Sequence, residues 1–421
     1  MTVRTGTSDR GGRGLSLAVW GLTRAVLLLC VFKVFTVPGP DVTSDVSVIY
    51  RGWYEVLRTG SYPLDDVTWQ YPPGAALAVL SPDLLPFLEY ASAFFVLALL
   101  CDALVLGLLL YAGGRPGTRD AGAWLWVVGV PLLGPTVYAR YDLMVTAVAV
   151  AALLAGVRHP RVLGALAAFG ALLKVWPALL LVGTARGRAG RRSWSAAAVT
   201  AAVLGLVAAL AAPGAFAFLT FQRDRGLEIE SLGALVFHVA RQFGWQGAVE
   251  LRYGSMEFAG PHVALVSTLA LALSVLAFGW LLVWRLRART FAVHTPADAA
   301  FTAVLLFTVT SRVISPQYLV WPLGVAAVCL VFRGSRMVLP ACLVLVATAV
   351  TLLEFPLGFA HVVASDAQGV ALLVVRNGLL AAAAPVAALR LWRDTVPGAR
   401  RGLAAERISP AGRSDTPASA P

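Results

Sequence analysis

Apolar runs near the length needed to span a hydrocarbon core, roughly 20 residues, recur along most of the chain. They lie near 15–35, 73–86, 88–112, 122–138, 141–157, 162–184, 193–212, 262–284, 297–313, 316–332, 337–358 and 369–391. This pattern predicts an all-α polytopic membrane protein of about 10–12 transmembrane helices. The first run, Leu15–Phe35, follows arginines, lacks a small-residue cleavage site and contains Arg24 and Lys33. It reads as a retained span, not a removed signal peptide. The expected division is a cytoplasmic N-terminal tail at 1–14, a transmembrane domain at 15–392 and a disordered C-terminal tail at 393–421.

The short polar tracts between the runs orient them. Arg4, Arg10 and Arg13 place the N-terminus in the cytoplasm by the positive-inside rule. The tracts Arg186–Arg192, Arg285–Arg289, Arg333–Arg336 and Arg390–Arg393 then fall on the same side. Both termini are expected in the cytoplasm, with two long segments, 37–71 and 213–260, outside. In the first of these, Val46, Ile49, Tyr50, Trp53 and Leu57 follow helical spacing, as in an amphipathic helix on the membrane surface. Full crossing by every run in the first half would put Arg158, His159 and Arg161 outside, against the charge rule. A short dip at 73–86 and a re-entrant or broken helix near 162–184 restore it. Lys174-Val175-Trp176-Pro177 offers the break, because proline removes a backbone donor, and non-helical backbone at depth must line a protein cavity.

Composition agrees with a membrane chain: 58% of residues are hydrophobic and 13% charged, against about 25% charged in soluble domains. The net charge of +12 is spread through loop arginines, so it argues for topology and against a nucleic-acid partner. Cys30, Cys101, Cys329 and Cys342 all sit in apolar runs without paired spacing, which predicts free thiols.

A charge near the bilayer centre costs roughly 2.5–3.5 kcal/mol, so such residues tend to face a functional interior. Asp102, Arg140, Asp142, Lys174, Arg312, Glu354 and Arg376 are the candidates. Lys174, one of only two lysines, suits a phosphate as a compact charge; its alternative is to snorkel or to pair with an aspartate such as Asp102. Arg376 is equally readable as the partner of Glu354. In the first long segment Asp41 and Asp45 are candidate general bases, although Asp45 also reads as a charge at the start of its own helix. Tyr71-Pro72-Pro73 reads first as a helix start. Asp65-Asp66 is an adjacent pair in a turn, a weak metal signal. Nucleotide-binding, zinc-protease and serine-hydrolase motifs are absent.

Several segments in order resemble glycosyltransferase family 87, membrane mannosyltransferases of the GT-C fold. They are Ser44-Asp45-Val46 with Tyr50, Gly60-Ser61-Tyr62-Pro63, Tyr71-Pro72-Pro73, Arg140-Tyr141-Asp142-Leu143, Lys174-Val175-Trp176-Pro177, Arg225 to Ser231, and Ser315-Pro316-Gln317-Tyr318-Leu319-Val320-Trp321. Gln222 departs from the pattern, standing where relatives have a histidine. The resemblance covers about residues 15–390. It implies a GT-C-like bundle that moves a sugar, mannose by default, from a polyprenyl-phosphate donor to a hydroxyl of an envelope glycolipid or glycan, with inversion and on the outer side. It implies Asp45 as base, with Tyr71, Arg140, Asp142, Lys174, Arg225, Glu228, Arg312, Gln317 and Tyr318 contacting substrate. Lys174, Arg140 or Arg312 would stabilise the departing phosphate; no cofactor or metal is demanded. The competing readings are a transporter or flippase for an anionic or lipid-linked substrate, and a non-catalytic envelope scaffold. Against transport stand the lack of an inverted repeat and the two long outer segments.

Overall fold

A computed structural model describes residues 7–211 and 214–398; the side chains of residues 7–10, 221, 223 and 224 are outside that description, as are both chain ends. The expected tails therefore lie largely outside the described residues. Among the described residues six helices are long and apolar enough to cross a membrane: Gly11–Val31 within a longer helix, Tyr90–Gly113, Arg188–Ala211, Val263–Arg287, Val338–Leu357 and Ala367–Thr395. Shorter apolar helices, Ala75–Leu84, Asp142–Gly156, Pro160–Leu173, Thr295–Thr310 and Pro316–Val331, lie among them. The architecture is an all-α polytopic bundle, as the hydropathy predicts. Leu210 and Leu276 are 78% and 68% exposed, and much of the apolar surface of their two helices is bare, as expected of helices facing lipid.

The bundle has two unlike ends. At one, the arginine tracts meet. Arg13 pairs with Asp120 at 3.0 Å, Arg333 donates to the Thr118 carbonyl at 2.8 Å, Arg336 pairs with Asp394 at 3.5 Å, and Arg186 donates to the Arg285 carbonyl at 2.7 Å. At the other end the two long segments are stitched together: Gln222 donates to the Gln70 carbonyl at 2.9 Å and Gln70 to the Tyr253 carbonyl at 3.3 Å.

The two short apolar segments do not cross. Ala75–Leu84 starts and finishes at the long-segment end, where Tyr54 Oη donates to Asp83. The helix Pro160–Leu173 rises from the arginine end, where Gly164 packs so closely on the Ser193 carbonyl that a Cβ would stand 2.0 Å from its oxygen. It stops at Lys174, whose backbone is extended (φ −158°, ψ 133°). A 3-10 turn, Trp176–Leu181, begins around Pro177 and returns toward the same end. The break expected at Lys174-Val175-Trp176-Pro177 is there, and it brings Arg158 and Arg161 beside the other basic loops. The start of the first segment meets the tip of the second where Gly74 lies against the Leu172 carbonyl, a contact that leaves 2.7 Å for a Cβ.

The segment after residue 214 adds structure that hydropathy did not foretell. Strands β1 (Leu227–Glu228), β2 (Ala248–Arg252) and β3 (Ser255–Ala259) form an antiparallel sheet in the order β1-β3-β2. A two-residue turn joins β2 to β3, with Tyr253 and Gly254 both at positive φ (49° and 76°), the geometry that matches strand twist in tight hairpins. Leu227, Phe237 and Phe258 form a small separate core with Val362 and Leu373, which fixes the sheet to the end of the bundle.

Candidate active site

Two adjoining cavities open at the long-segment end, above the re-entrant tips. The first, about 300 Å³, is bounded by Asp41, Asp45, Arg140, Glu228 and Glu230 and covered by the β2–β3 hairpin. The second, about 310 Å³, is bounded by Lys174, Gln222 and Arg312 together with Phe218, Leu219 and Phe307. Gln70, Tyr71, Arg225 and Tyr318 line both.

Asp45 opens a turn-and-a-half of wide helix, Asp45–Tyr50, that continues as Arg51–Leu57. Val46, Tyr50 and Trp53 are buried against the bundle, so the apolar face read from the sequence packs on protein. Ser44 at the cap position makes no side-chain cap hydrogen bond, and Asp45 is the first residue of the helix. Asp45 Oδ2 pairs with Arg140 Nη2 at 2.9 Å, and the side chain stays 30% exposed to the cavity. Arg140 also donates to the Val42 and Ala139 carbonyls at 3.0 and 2.8 Å. Its two terminal nitrogens hold the Asp45 loop, while its buried Nε has no hydrogen-bond partner.

Asp41 is engaged elsewhere. It pairs with Lys33 at 2.8 Å and accepts from the Thr43 amide and hydroxyl at 2.9 and 2.7 Å. Partial burial raises its pKa, but those hydrogen bonds outweigh it and hold the carboxyl below its ordinary value. Asp66 likewise accepts from Thr68 and from Trp53 Nε1 at 2.8 Å. Among the described residues no cluster of three His, Cys, Asp or Glu side chains could hold a metal ion.

Lys174 sits where the hairpin breaks. Its Nζ donates to Asp142 Oδ1 at 2.7 Å and lies 4.8–5.4 Å from the rings of Tyr71, Tyr141, Tyr318 and Trp321, within the range of cation–π attraction. The partner suggested from the sequence, Asp102, is occupied by Arg24; the correct partner is Asp142, the first residue of the helix Asp142–Gly156. Asp142 also accepts from Trp321 Nε1 at 2.7 Å and is buried behind Lys174, lining neither cavity. Tyr318 stacks on Trp321 at 4.0 Å.

Arg225 occupies the junction. It pairs with Glu257 at 3.4 Å and donates to Ser255 Oγ at 2.7 Å. Arg312 reaches the Arg225 and Gln222 carbonyls at 2.8 and 3.1 Å, which ties the loop before β1 to the helix Thr295–Thr310. Glu228 accepts from the Ile314 amide at 2.7 Å and the Ser315 hydroxyl at 2.8 Å. Burial, only partly offset by Arg225 and these donors, pushes its carboxyl up. Of the residues expected to contact substrate, all but Asp142 thus line one or both cavities. Sequence reasoning passed over Trp53, Gln70, Glu230 and the hairpin. The alternation of 248–252 and 255–259 about Tyr253-Gly254 was the available signal for the last.

The arrangement joins the partly exposed carboxylate of Asp45, an apolar-walled cavity carrying three cations, and a polar cavity, all reached from one end of a membrane bundle. The model of glycosyltransferase family 87 matches residues 69–316. The chain belongs to that family. No curated protein and no solved structure matches it. As a member it is a membrane glycosyltransferase, which uses a sugar donor and an acceptor. The matched stretch spans both re-entrant tips, the three-stranded sheet and the residues from Tyr71 through Ser315 that line the cavities.

Proposed function

We propose that the chain moves a sugar, with mannose as the first candidate, from a polyprenyl-phosphate donor to a hydroxyl of an envelope glycolipid or glycan on the outer side of the membrane, inverting the anomeric centre. The observation that carries this reading is the pairing of the cavities across Tyr71, Arg225 and Tyr318. The second cavity combines Lys174, Arg225 and Arg312 with Phe218, Leu219 and Phe307, a match for a phosphate followed by a hydrocarbon chain. The first presents Asp45 beside polar groups, a match for a hydroxylated acceptor.

In this mechanism the acceptor oxygen attacks the anomeric carbon, the bond from that carbon to the phosphate oxygen breaks, and polyprenyl phosphate leaves. Asp45 takes the hydroxyl proton as the new bond forms. Arg140 orients the carboxylate. The phosphate gains negative charge as it departs, and Arg225 and Lys174, held in advance by Glu257, Ser255 and Asp142, stabilise that charge without reorganising.

The test is transfer by the purified chain from a panel of polyprenyl-phosphate sugars to envelope glycolipids, followed by anomeric analysis of the product. Transfer from nucleotide sugars alone would overturn the donor assignment. Orientation is tested separately. Cysteines placed at Ser61 and Ser255 should label with an impermeant reagent in intact cells, and labelling only after permeabilisation would reverse the outward site.

A further inference from the structure

Two residues beyond Glu228, a second carboxyl reaches the wall of the first cavity, and the mechanism above gives it no task. Glu230 is buried, 5% exposed, yet lines the cavity. Its nearest cation is Arg376, at 3.7 Å, and its Oε1 has no hydrogen-bond partner. Arg376 is spent on other groups. It donates to Glu354, to the main-chain carbonyl of Glu230 and to Asn377 Oδ1. Glu354 also keeps one oxygen, Oε1, without a partner. Two carboxyls therefore share one guanidinium in a fully buried setting.

The Glu230 and Glu354 carboxyls lie within hydrogen-bonding reach of each other, so the donor they can offer one another is a shared proton. Around this wall Arg225 faces Glu257 and Glu228, and Glu228 is already filled by Ile314 and Ser315. Burial first, then the facing Glu354 and Glu228 carboxylates, hold the Glu230 carboxyl well above its ordinary range. A buried ion pair needs one carboxylate per guanidinium, and a surplus carboxyl with open hydrogen-bonding capacity is a cost to folding. Such costs persist chiefly where function uses them.

We propose that Glu230 binds a ring hydroxyl of a sugar seated in the first cavity, with Glu354 and Arg376 holding it in position. A carboxyl suits this task in either protonation state, donating when protonated and accepting when ionised. The sugar is that of the acceptor or that of the donor; both present the same chemistry. The inference rests on the first cavity being the place where a sugar is handled, but not on Asp45 being the base.

The experiment titrates the full chain in nanodiscs with octyl hexopyranosides of the manno and gluco series and their monodeoxy derivatives, following tryptophan fluorescence, since Trp53 lines the same cavity. Loss of a hydrogen bond to a charged or buried group costs about 10- to 100-fold in affinity. Wild type should bind one monodeoxy analogue weaker than its parent by that factor. Glu230→Ala should weaken the parent by a similar factor and abolish the difference for that analogue alone. Removing Glu230 leaves Glu354 and Arg376 as a one-to-one pair, so thermal unfolding should stay near wild type. Glu230→Gln, of the same shape, should give a partial loss confined to the same analogue and serves if the alanine variant does not fold. A parallel titration with polyprenyl-phosphate hexose and its monodeoxy forms assigns the hydroxyl to donor or acceptor. Unchanged affinity in Glu230→Ala, an equal loss for every analogue, or no hexoside binding by wild type would overturn the proposal. Selective binding without transfer would sink the proposed reaction and leave the role of Glu230 standing.

Discussion

Asp102 and Asp45 are both aspartates paired with an arginine, and they differ in everything else. Asp102 is fully buried and pairs with Arg24 at 2.8 Å. It also accepts from Trp20 Nε1, Trp126 Nε1 and Tyr138 Oη at 3.1, 2.6 and 2.6 Å. The remaining guanidinium donors of Arg24 go to the Val127 and Trp126 carbonyls. Every bond that this pair could offer a substrate is consumed, so it locks three helices together and does nothing more. Asp45 has one arginine on one oxygen and faces a cavity. The contrast separates charge that holds a fold from charge that is available: what marks a site is unspent hydrogen-bonding capacity beside an open space, and burial of charge alone does not.

The largest effect that would sharpen this contrast is on catalysis. Asp45→Asn keeps shape and removes the charge, and transfer should fall roughly 100- to 10,000-fold with donor binding retained. Asp41→Asn, whose carboxylate is engaged by Lys33 and Thr43, should leave turnover close to wild type. A dead Asp41→Asn beside an active Asp45→Asn would move the base and break the comparison.

Asp102→Asn should act on the other side. Leaving Arg24 buried without its counter-charge should cost about 3–5 kcal/mol of stability, read from denaturant unfolding in detergent, while the molecules that remain folded keep their turnover. A loss of turnover without loss of stability would place Asp102 in the reaction.

A smaller, mixed effect is expected at Lys174, which is both filled and adjacent to space. Lys174→Met keeps the aromatic packing and should raise the KM for the lipid-linked donor by about tenfold or more, with a lesser change in kcat. Asp142→Asn added to it should recover stability and not donor affinity. Recovery of both would reduce Lys174 to a structural pair.

The smallest effect is on the sheet-bearing segment. His238 is buried between the Ile229 carbonyl and Ser365 Oγ, at 2.8 and 2.7 Å, and burial lowers its pKa. A group whose folded pKa is depressed in its cationic form takes up a proton more readily when unfolded. The stability it allows is therefore present above the ordinary value of about 6.5 and declines as pH falls below it. Hydrogen exchange of residues 227–260 should quicken below that pH, and His238→Asn should blunt the change.

Much of this protein was legible in one dimension. The span pattern, the converging arginine loops and the break at Pro177 follow from hydropathy, charge and local backbone chemistry, and the family was legible as a resemblance of ordered motifs. These are short-range properties: a helix long enough to cross needs only its own residues, and a proline interrupts a helix whatever surrounds it. Of the buried pairs, Arg376 with Glu354 was one of two readings the sequence allowed; the others were not legible. Nothing in the spacing said that Lys174 meets Asp142 and Asp102 meets Arg24, because the distances between those residues arise from how separate helices pack. Nor could the sequence tell that Arg140 pairs with Asp45, or that Glu230 and Glu354 compete for Arg376. Hydrogen-bonding capacity is used up by neighbours that are distant in the chain, so the balance of filled and unfilled groups exists only once the bundle has assembled.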